Sequence, residues 1–269
     1  MASVPRPRYR RAVVTVSQAE LKRVRALQQK KARAEASRFL VQGRKVTAEL
    51  LASTWDVEAI YATEDAAAFV ADAARRRRVE VHVLPAHELE RLGTFERGNE
   101  LVAVAVSREQ AKFRLPEPGE LVLALDGVHD PRNLGGLLRI ADWFGVRRVV
   151  CSQDCIEVTN PKVVQSTMGS LFRVQVRYAQ LAVELPQCAA AGVHLYLADM
   201  GGASAYDAPL ARPAVLVLGS ESHGLSEVLR GLCAQVLSIP RVGRAESLNV
   251  AMAAAALCSE FARQAGAPK

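Results

Sequence analysis

"LVLALDGVHDPRNLGGLLRIADWFGVRRVVC", residues 121–151, decides the fold. It opens on an unbroken apolar run, passes through a loop into a stretch with helical spacing, and closes on a second apolar run. Apolar runs of this kind read as strands covered on both faces, and a helix joining two of them implies a right-handed crossover within a parallel sheet. Asp130 is placed to cap a helix over 131–144, and Pro131 suits its first position. At about 100° per residue, Leu134, Leu137, Leu138, Ala141 and Phe144 share one face, and Arg139 points away from it. Gly135 and Gly136 sit one turn before Arg139. Two interior glycines cost about 1 kcal/mol each relative to alanine, which implies a use for them. Helical side chains lean toward the N-terminus, so the glycines either leave room for a ligand beside the Arg139 guanidinium or let a second helix pack closely behind a surface arginine. Spacing leaves both readings open.

Downstream, the apolar runs "FRVQVRY", "VHLYLA", "AVLVLG" and "QVLSI" alternate with helical segments at 161–168, 180–191, 224–232 and 247–263. That alternation predicts an α/β domain over 120–269, a mostly parallel sheet with helices on both faces. Upstream, "FLVQG", "VEAIYA", "VEVHVL" and "ELVAVAV" read as strands, with "RKVTAELLAS", "DAAAFVADAARRR" and "AHELERLG" as helices between them. They form a small α/β domain over 38–106. "SREQAKFRLPEPG", residues 107–119, has linker composition. Residues 1–37 are a basic extension, and "SQAELKRVRALQQKKARAEASRFL", 17–40, has helical spacing.

Of 269 residues, 50% are hydrophobic and 23% charged, a globular composition. No apolar run approaches the ~18 residues of a spanning helix, and "MASVPRPRYRR" lacks the apolar core of a secretory signal. The expectation is a cytoplasmic protein without a membrane partner. Cys151, Cys155, Cys188, Cys233 and Cys258 form no CxxC pair and read as reduced thiols; Cys151 and Cys155 are strand and loop residues rather than half of a zinc site. The formal charge of +7 is local in origin, because residues 1–45 hold thirteen Lys/Arg against two acids. Such a concentration points to a polyanion, or else to a solvated tail with a charged helix. "RRRR" at 75–78 suits the C-terminal end of a helix.

Ligands on parallel sheets sit beyond the carboxyl ends of the strands, which directs attention to the loops there. "GSESHGLS", 219–226, follows the strand "AVLVL"; Gly219 and Gly224 permit unusual backbone angles, and Glu221 places a carboxylate at the strand's end. There is no GxGxxG and no Walker lysine. "IPRVGRAESLNVAMAAAAL", 239–257, leaves a strand through Pro240 and Gly243 and is expected to enter a helix at Ser247, with Ser247 as a possible cap and Asn249 in the first turn. The alanines at 253–256 imply close helix packing.

In combination, "DPRNLGGLLRIADWFG", "LGSESHGLS" and "IPRVGRAESLNVAMAAA" resemble the three motifs of the SpoU (TrmH-type) RNA ribose methyltransferases of the SPOUT superfamily. "NPKVVQSTMGSLF", 160–172, is similar to a fourth shared segment, and 38–106 resembles the family's small substrate-binding domain. The resemblance implies a deep trefoil knot in the C-terminal domain and S-adenosylmethionine as cofactor, with Leu218, Gly219, Ile239, Ser247 and Leu248 at the cofactor-contacting positions. It further implies a homodimer and methyl transfer to a ribose 2′-hydroxyl of structured RNA, with no role for DNA. By analogy a large ribosomal RNA is favoured as target, with transfer RNA as the alternative. The residues carried over are Asn133, Arg139, Glu221, Ser247 and Asn249. A guanidinium is a poor base, so Arg139 is assigned to the target phosphate and to orienting the hydroxyl. Ser247 and Asn249 suit hydrogen bonds to ribose or cofactor, and Glu221 suits a hold on Arg139 or the Asn133 loop. Two positions depart from the family pattern: Ser222 stands where glycine is usual, and "GNEL" at 98–101 replaces a Gln-Gly pair. The rival readings are a catalytically silent RNA-binding protein of the same fold, which the intact motif residues oppose, and a base methyltransferase, which the "NLGGLLRIA" arginine opposes.

Overall fold

The computed structural model describes residues 16–94, 99–220, 224–232 and 234–266. The small domain is a four-stranded sheet of β1 (Arg38–Gln42), β2 (Val57–Ala62), β3 (Glu80–Val83) and β4 (Leu101–Val106) in the order β1-β4-β2-β3. β4 runs antiparallel to β1 and β2, and β3 is parallel to β2. The two-residue side-chain period divides these strands cleanly. Phe39, Val41, Ile60, Ala103 and Ala105 face α3 (Arg44–Ala52) and α4 (Glu64–Arg77), while Leu40, Tyr61, Val102 and Val104 face α1 (Gln18–Ala26) and α5 (Ala86–Leu92). Helix α4 starts on the Thr63 hydroxyl and ends with Arg75, Arg76 and Arg77 in its last turn, as the charge pattern predicts.

The structure redraws the N-terminal boundary. Leu21, Val24 and Leu27 are buried in the small domain's second core, so α1 closes that sheet rather than extending from it. The helical spacing expected over 17–40 is interrupted between α1 and α2 (Lys30–Ala36), and its last residues belong to β1. Arg33, held by the distant Glu157, turns back to donate through Nη1 to the Leu27 and Gln28 carbonyls, at 2.9 and 2.8 Å, where an uninterrupted helix would use them itself. The basic residues before 16 lie outside the described residues.

The large domain carries β5 (Leu121–Asp126), β6 (Arg148–Ser152), β7 (Gln175–Ala179), β8 (His194–Ser204), β9 (Ala214–Gly219) and β10 (Gln235–Ser238), all parallel, in the order β10-β8-β9-β5-β6-β7. Alternate residues again part by face. Leu121, Leu123 and Leu125 pack with α6 (Pro131–Trp143) and α10 (Val250–Gln264), and Val122 and Ala124 pack with α8 (Leu181–Ala190) and α9 (Glu227–Arg230). The linker runs beside the edge strand β7, where the Gln110 side-chain carbonyl accepts the Tyr178 N–H at 3.0 Å and satisfies a donor that an open edge would expose. Some elements differ from expectation. "FRVQVRY" becomes a strand only at Gln175, because Ser170–Phe172 forms a 3-10 turn. The segment expected as a helix over 224–232 is helical only across α9.

Between the domains stands α7 (Pro161–Ser166), capped by the Asn160 side chain. It answers the question of Gly135: a Cβ there would lie 2.3 Å from the Ser166 Cβ and 2.8 Å from its carbonyl carbon. The bare backbone is used for helix packing, and the clearance beside Arg139 is not at Gly135. Gly136 is less constrained, since its Cβ would meet only the Ala251 Cβ at 3.4 Å. On its other side the α7 segment supplies Val164, Leu171 and Phe172 to the small domain's core, where Phe172 and Phe39 both meet Trp55 edge-on. Three ion pairs, centred on two arginines, flank this junction. Arg33 Nε donates to Glu157 at 2.6 Å, and Arg173 joins Glu49 of α3, at 2.5 Å, to Asp142 of α6, at 2.8 Å.

Gly135→Ala is therefore expected to lose about 1–3 kcal/mol by overpacking. Gly136→Ala is expected to be neutral or to gain up to about 1 kcal/mol of helix propensity. Urea denaturation of the two variants beside the parent checks the contrast.

Candidate functional site

Helix α6 starts where its sequence predicts: the Asp130 carboxylate accepts the Arg132 N–H at 2.6 Å, and Pro131 follows. Leu134, Leu137, Leu138 and Ala141 are buried beneath the helix and hold its orientation. Arg139 is exposed on the opposite side and has no hydrogen bond or ion pair among the described residues. Asn133, in the first turn, is half-buried.

Helix α10 does not start where expected. It begins at Val250, and its cap is Asn249, whose side-chain carbonyl accepts the N–H groups of Ala251 and Met252 at 3.0 and 3.4 Å. Ser247 lies outside the helix and is exposed. The reason is that Asn249 has a second partner that serine could not reach: its Nδ2 donates to the Asn133 side-chain carbonyl at 3.0 Å. One amide thus fixes the start of α10 with its oxygen and the start of α6 with its nitrogen, across 116 residues of chain. Ala251 opposite Gly136 lets the two helix ends approach.

The sheet places a third loop beside this junction. From β5 the chain moves through β6 to β7 on one side and returns to β8 and β9 on the other, so the strand order reverses between β5 and β9. Crevices outside the carboxyl ends of strands at such points are the usual ligand sites of parallel sheets. Asp126 and Gly219, the last residues of β5 and β9, are register partners there. Leu218 is buried in the core beneath. Beyond it the chain doubles back, with Ser220 and Gly224 exchanging backbone hydrogen bonds at 3.0 and 2.8 Å. A Cβ on Gly219 would lie 2.2 Å from the Gly224 carbonyl carbon, so only glycine admits this turn. Glu221 and Ser222 lie outside the described residues.

Three side chains that the motif reading did not single out brace these loops. Asp126 accepts the Ser226 N–H at 2.8 Å and ties the β9 loop to β5. Arg230 of α9 donates through Nε to the Leu225 carbonyl at 3.1 Å and pairs with Asp199 at 2.6 Å. Cys155 accepts the Val128 N–H at 3.2 Å, just before α6, and a hydrogen bond from the buried Cys151 thiol brings Cys155 down to about 7. An acid closing the apolar run "LVLALD" was the one signal available for Asp126. For Arg230 and Cys155 there was none, since each answers to a residue distant in sequence, the Asp199 carboxylate for Arg230 and the Val128 N–H for Cys155. Ile239 is half-buried against the core, and Leu248 is half-exposed. The stretch 240–248 between them is exposed throughout, and its carbonyl at Ala245 accepts Arg241 Nη1 at 3.2 Å. Among the described residues no cluster of three His, Cys, Asp or Glu side chains could hold a metal ion, and no helix is long and apolar enough to cross a membrane.

The SpoU rRNA Methylase family model matches residues 120–259, and the MRM3-like substrate binding domain model matches residues 18–103, α1 included. An uncharacterized tRNA/rRNA methyltransferase of Mycobacterium ulcerans is 37% identical over 152 residues, 56% of this chain and 49% of that one. The match thus spans about half the length of such curated relatives. Among solved structures, one described as an RNA methyltransferase of the TrmH family from Porphyromonas gingivalis is 35% identical, covering 93% of this chain and 100% of that one, with a TM-score of 0.84. The SpoU methyltransferase AviRb of Streptomyces viridochromogenes, solved with its cofactor AdoMet, is 28% identical over 94% of this chain and 100% of its own, with the same TM-score. A structure described as an RNA 2′-O ribose methyltransferase is 26% identical, covers 92% of this chain and 96% of its own, and has a TM-score of 0.80.

Asn249→Ala removes both contacts of the shared amide and is expected to cost about 1 kcal/mol or more, whereas Asn133→Ala leaves the cap intact and should cost less. Asn249→Asp keeps the cap but turns a carboxylate toward the Asn133 carbonyl. Its stability should fall between those of the parent and Asn249→Ala in the same urea titrations.

Proposed function

The chain belongs to the SpoU rRNA methylase family, and we propose that it transfers a methyl group from S-adenosylmethionine to a ribose 2′-hydroxyl of structured RNA, with ribosomal RNA as the target. The observation that carries this reading is the hydrogen bond between Asn249 and Asn133, which brings two of the three motif segments together at the carboxyl end of the sheet, beside the third. The likeness to an RNA 2′-O ribose methyltransferase supports the choice of ribose over base. The MRM3-like domain match and the basic N-terminal residues support RNA as partner.

The residues present fit the cofactor. Leu218 and Ile239 provide apolar surface, Gly219 opens a narrow turn, and the exposed backbone of 240–248 offers hydrogen-bonding groups to an adenosine, with Ser247 and Leu248 at its end. When bound, S-adenosylmethionine supplies the electrophilic methyl group. The chain's own part is placement, since methyl transfer needs oxygen, carbon and sulfur in line. Arg139, free of internal partners among the described residues, would bind the target phosphate and orient the 2′-hydroxyl, whose proton would pass to solvent as the O–C bond forms and the methyl–sulfur bond breaks to leave S-adenosylhomocysteine. Asn133 and Asn249 keep Arg139's helix and the loop 240–248 at fixed separation. Ser247 hydrogen-bonds ribose or cofactor, and Glu221 is assigned to holding Arg139 or the Asn133 loop.

We further propose that the chain between β9 and α10 is threaded as a trefoil knot, since β10 lies at the outer edge beyond β8 while α10 returns to pack on α6. A homodimer is also proposed, because α6 and α10 together leave Trp143 and Met252 exposed at 84% and 66%. Apolar exposure of that extent on neighbouring helices suits a protein partner.

Arg139→Ala should abolish methyl transfer while leaving S-adenosylmethionine affinity within about twofold by calorimetry; retained activity would remove Arg139 from the mechanism. Absence of cofactor binding by well-folded protein would overturn the enzyme reading. Deleting residues 1–15, which hold Arg6, Arg8, Arg10 and Arg11, should weaken RNA binding and flatten its salt dependence in titrations at several salt concentrations. Mapping 2′-O-methyl positions in total RNA with and without the gene tests the ribosomal target.

A further inference from the structure

A cavity of about 460 Å³ opens between the two domains, walled by α2, the turn holding Trp55, the start of the linker, the loop after β6, and β7. Its wall is apolar, with Trp55, Phe172 and Val176, and its rim is polar, the combination found in small-molecule and nucleobase sites. Four cationic side chains line it. Arg33 and Arg173 are neutralised by Glu157, Glu49 and Asp142. Lys30 and Arg108 have no ion pair among the described residues, and they outweigh the single remaining carboxylate of the rim, Glu109.

Arg108 is exposed, yet it is held. Its guanidinium lies over the Trp55 indole with 4.6 Å to the ring centroid, and its Nη2 donates to the Thr54 hydroxyl at 2.8 Å. Fixing a long charged side chain costs on the order of 1–2 kcal/mol of rotamer entropy, and neither contact takes up its charge. Trp55 is itself anchored, by edge contacts to Phe39 and Phe172 and by Arg77, which donates to the Trp55 carbonyl at 2.5 Å. The result is a preset, outward-facing guanidinium plane backed by an indole. Unpaired bases stack on such planes, and the neighbouring phosphates are drawn to the unneutralised charge.

We propose that this interdomain cleft is a second RNA site, which takes an unpaired nucleotide of the substrate RNA with its base stacked on Arg108 over Trp55 and its phosphate at Lys30. The proposal rests on the RNA methyltransferase reading. The cleft also touches the first site through one side chain, since Cys155 lines it and holds the Val128 N–H ahead of α6.

Trp55 and Trp143 are the chain's two tryptophans, so Trp143→Phe, its oligomeric state and RNA affinity first matched to the parent's, makes Trp55 the sole reporter. A short mixed-sequence single-stranded RNA is titrated into the full-length variant, with binding followed independently by the anisotropy of labelled RNA. Trp55 emission is expected to quench with the same midpoint as the anisotropy. Arg108→Ala, its fold checked by circular dichroism, is expected to weaken RNA binding by roughly fivefold or more and to raise KM for RNA, with S-adenosylmethionine affinity unchanged. Arg108→Lys should restore the salt dependence but not the quench. Saturation of the anisotropy without a change in Trp55 emission, or parental affinity in Arg108→Ala, overturns the proposal. So does a change of Trp55 emission on deleting residues 1–15 with no further response to RNA, which would mark the cleft as the seat of the chain's own N-terminal stretch. Methyl transfer is assayed separately. Quenching without transfer would count against the enzyme and leave the second site standing, while transfer with a silent Trp55 would do the reverse.

Discussion

The close approach of α6 and α7 at Gly135 governs the arrangement of everything else. With no side chain at that position, the Ser166 backbone settles against α6, and α7 becomes a shim between the sheet that carries the motif loops and the sheet of the small domain. Val164, Leu171 and Phe172 are fixed by that contact and then complete the small domain's core. Each fully buried side chain of this kind contributes on the order of 1.5–3 kcal/mol. The ionic contacts on either side have a different role. Arg33 is only 4% exposed, and desolvating it offsets much of what its pairing with Glu157 returns. Such a contact specifies an angle between domains more than it stabilises the whole.

The candidate site follows from the same helix. α6 presents Asn133 to α10 at one end and Asp142 to the small domain, through Arg173, at the other. Arg139 lies between two ends that are both tied down, so the helix sets its direction, and none of the described residues pairs with it. On the proposed reading, that arrangement leaves the guanidinium's hydrogen-bonding capacity for the RNA.

Much of this was legible in the chain. The Asp130-Pro131 start, the buried face of α6, the parallel sheet, the strands of the small domain and the arginine-rich end of α4 all rest on neighbours within a few residues. What stayed hidden depended on partners far away. Ser247 and Asn249 are both good caps by residue type, and only Asn133, distant in sequence, decides between them. The stretch 17–40 has the period of one helix, and Arg33, held by the distant Glu157, divides it by reaching back to Leu27 and Gln28. The two uses offered for Gly135 could not be told apart until Ser166 was seen against it. The family resemblance located the motif loops but gave no sign of Asp126, Arg230 or Cys155, which brace those loops.

Three residues of the small domain's core are encoded in the segment 160–172, beyond the linker and inside the large domain's sequence. The division visible along the chain is therefore not the division in space. Loosening α7 therefore exposes the interior of both halves at once. Recombination between relatives at the linker would separate the small sheet from its own interior: a graft that moves residues 16–106 must carry the α7 segment with it, and with that segment the helix it rests on.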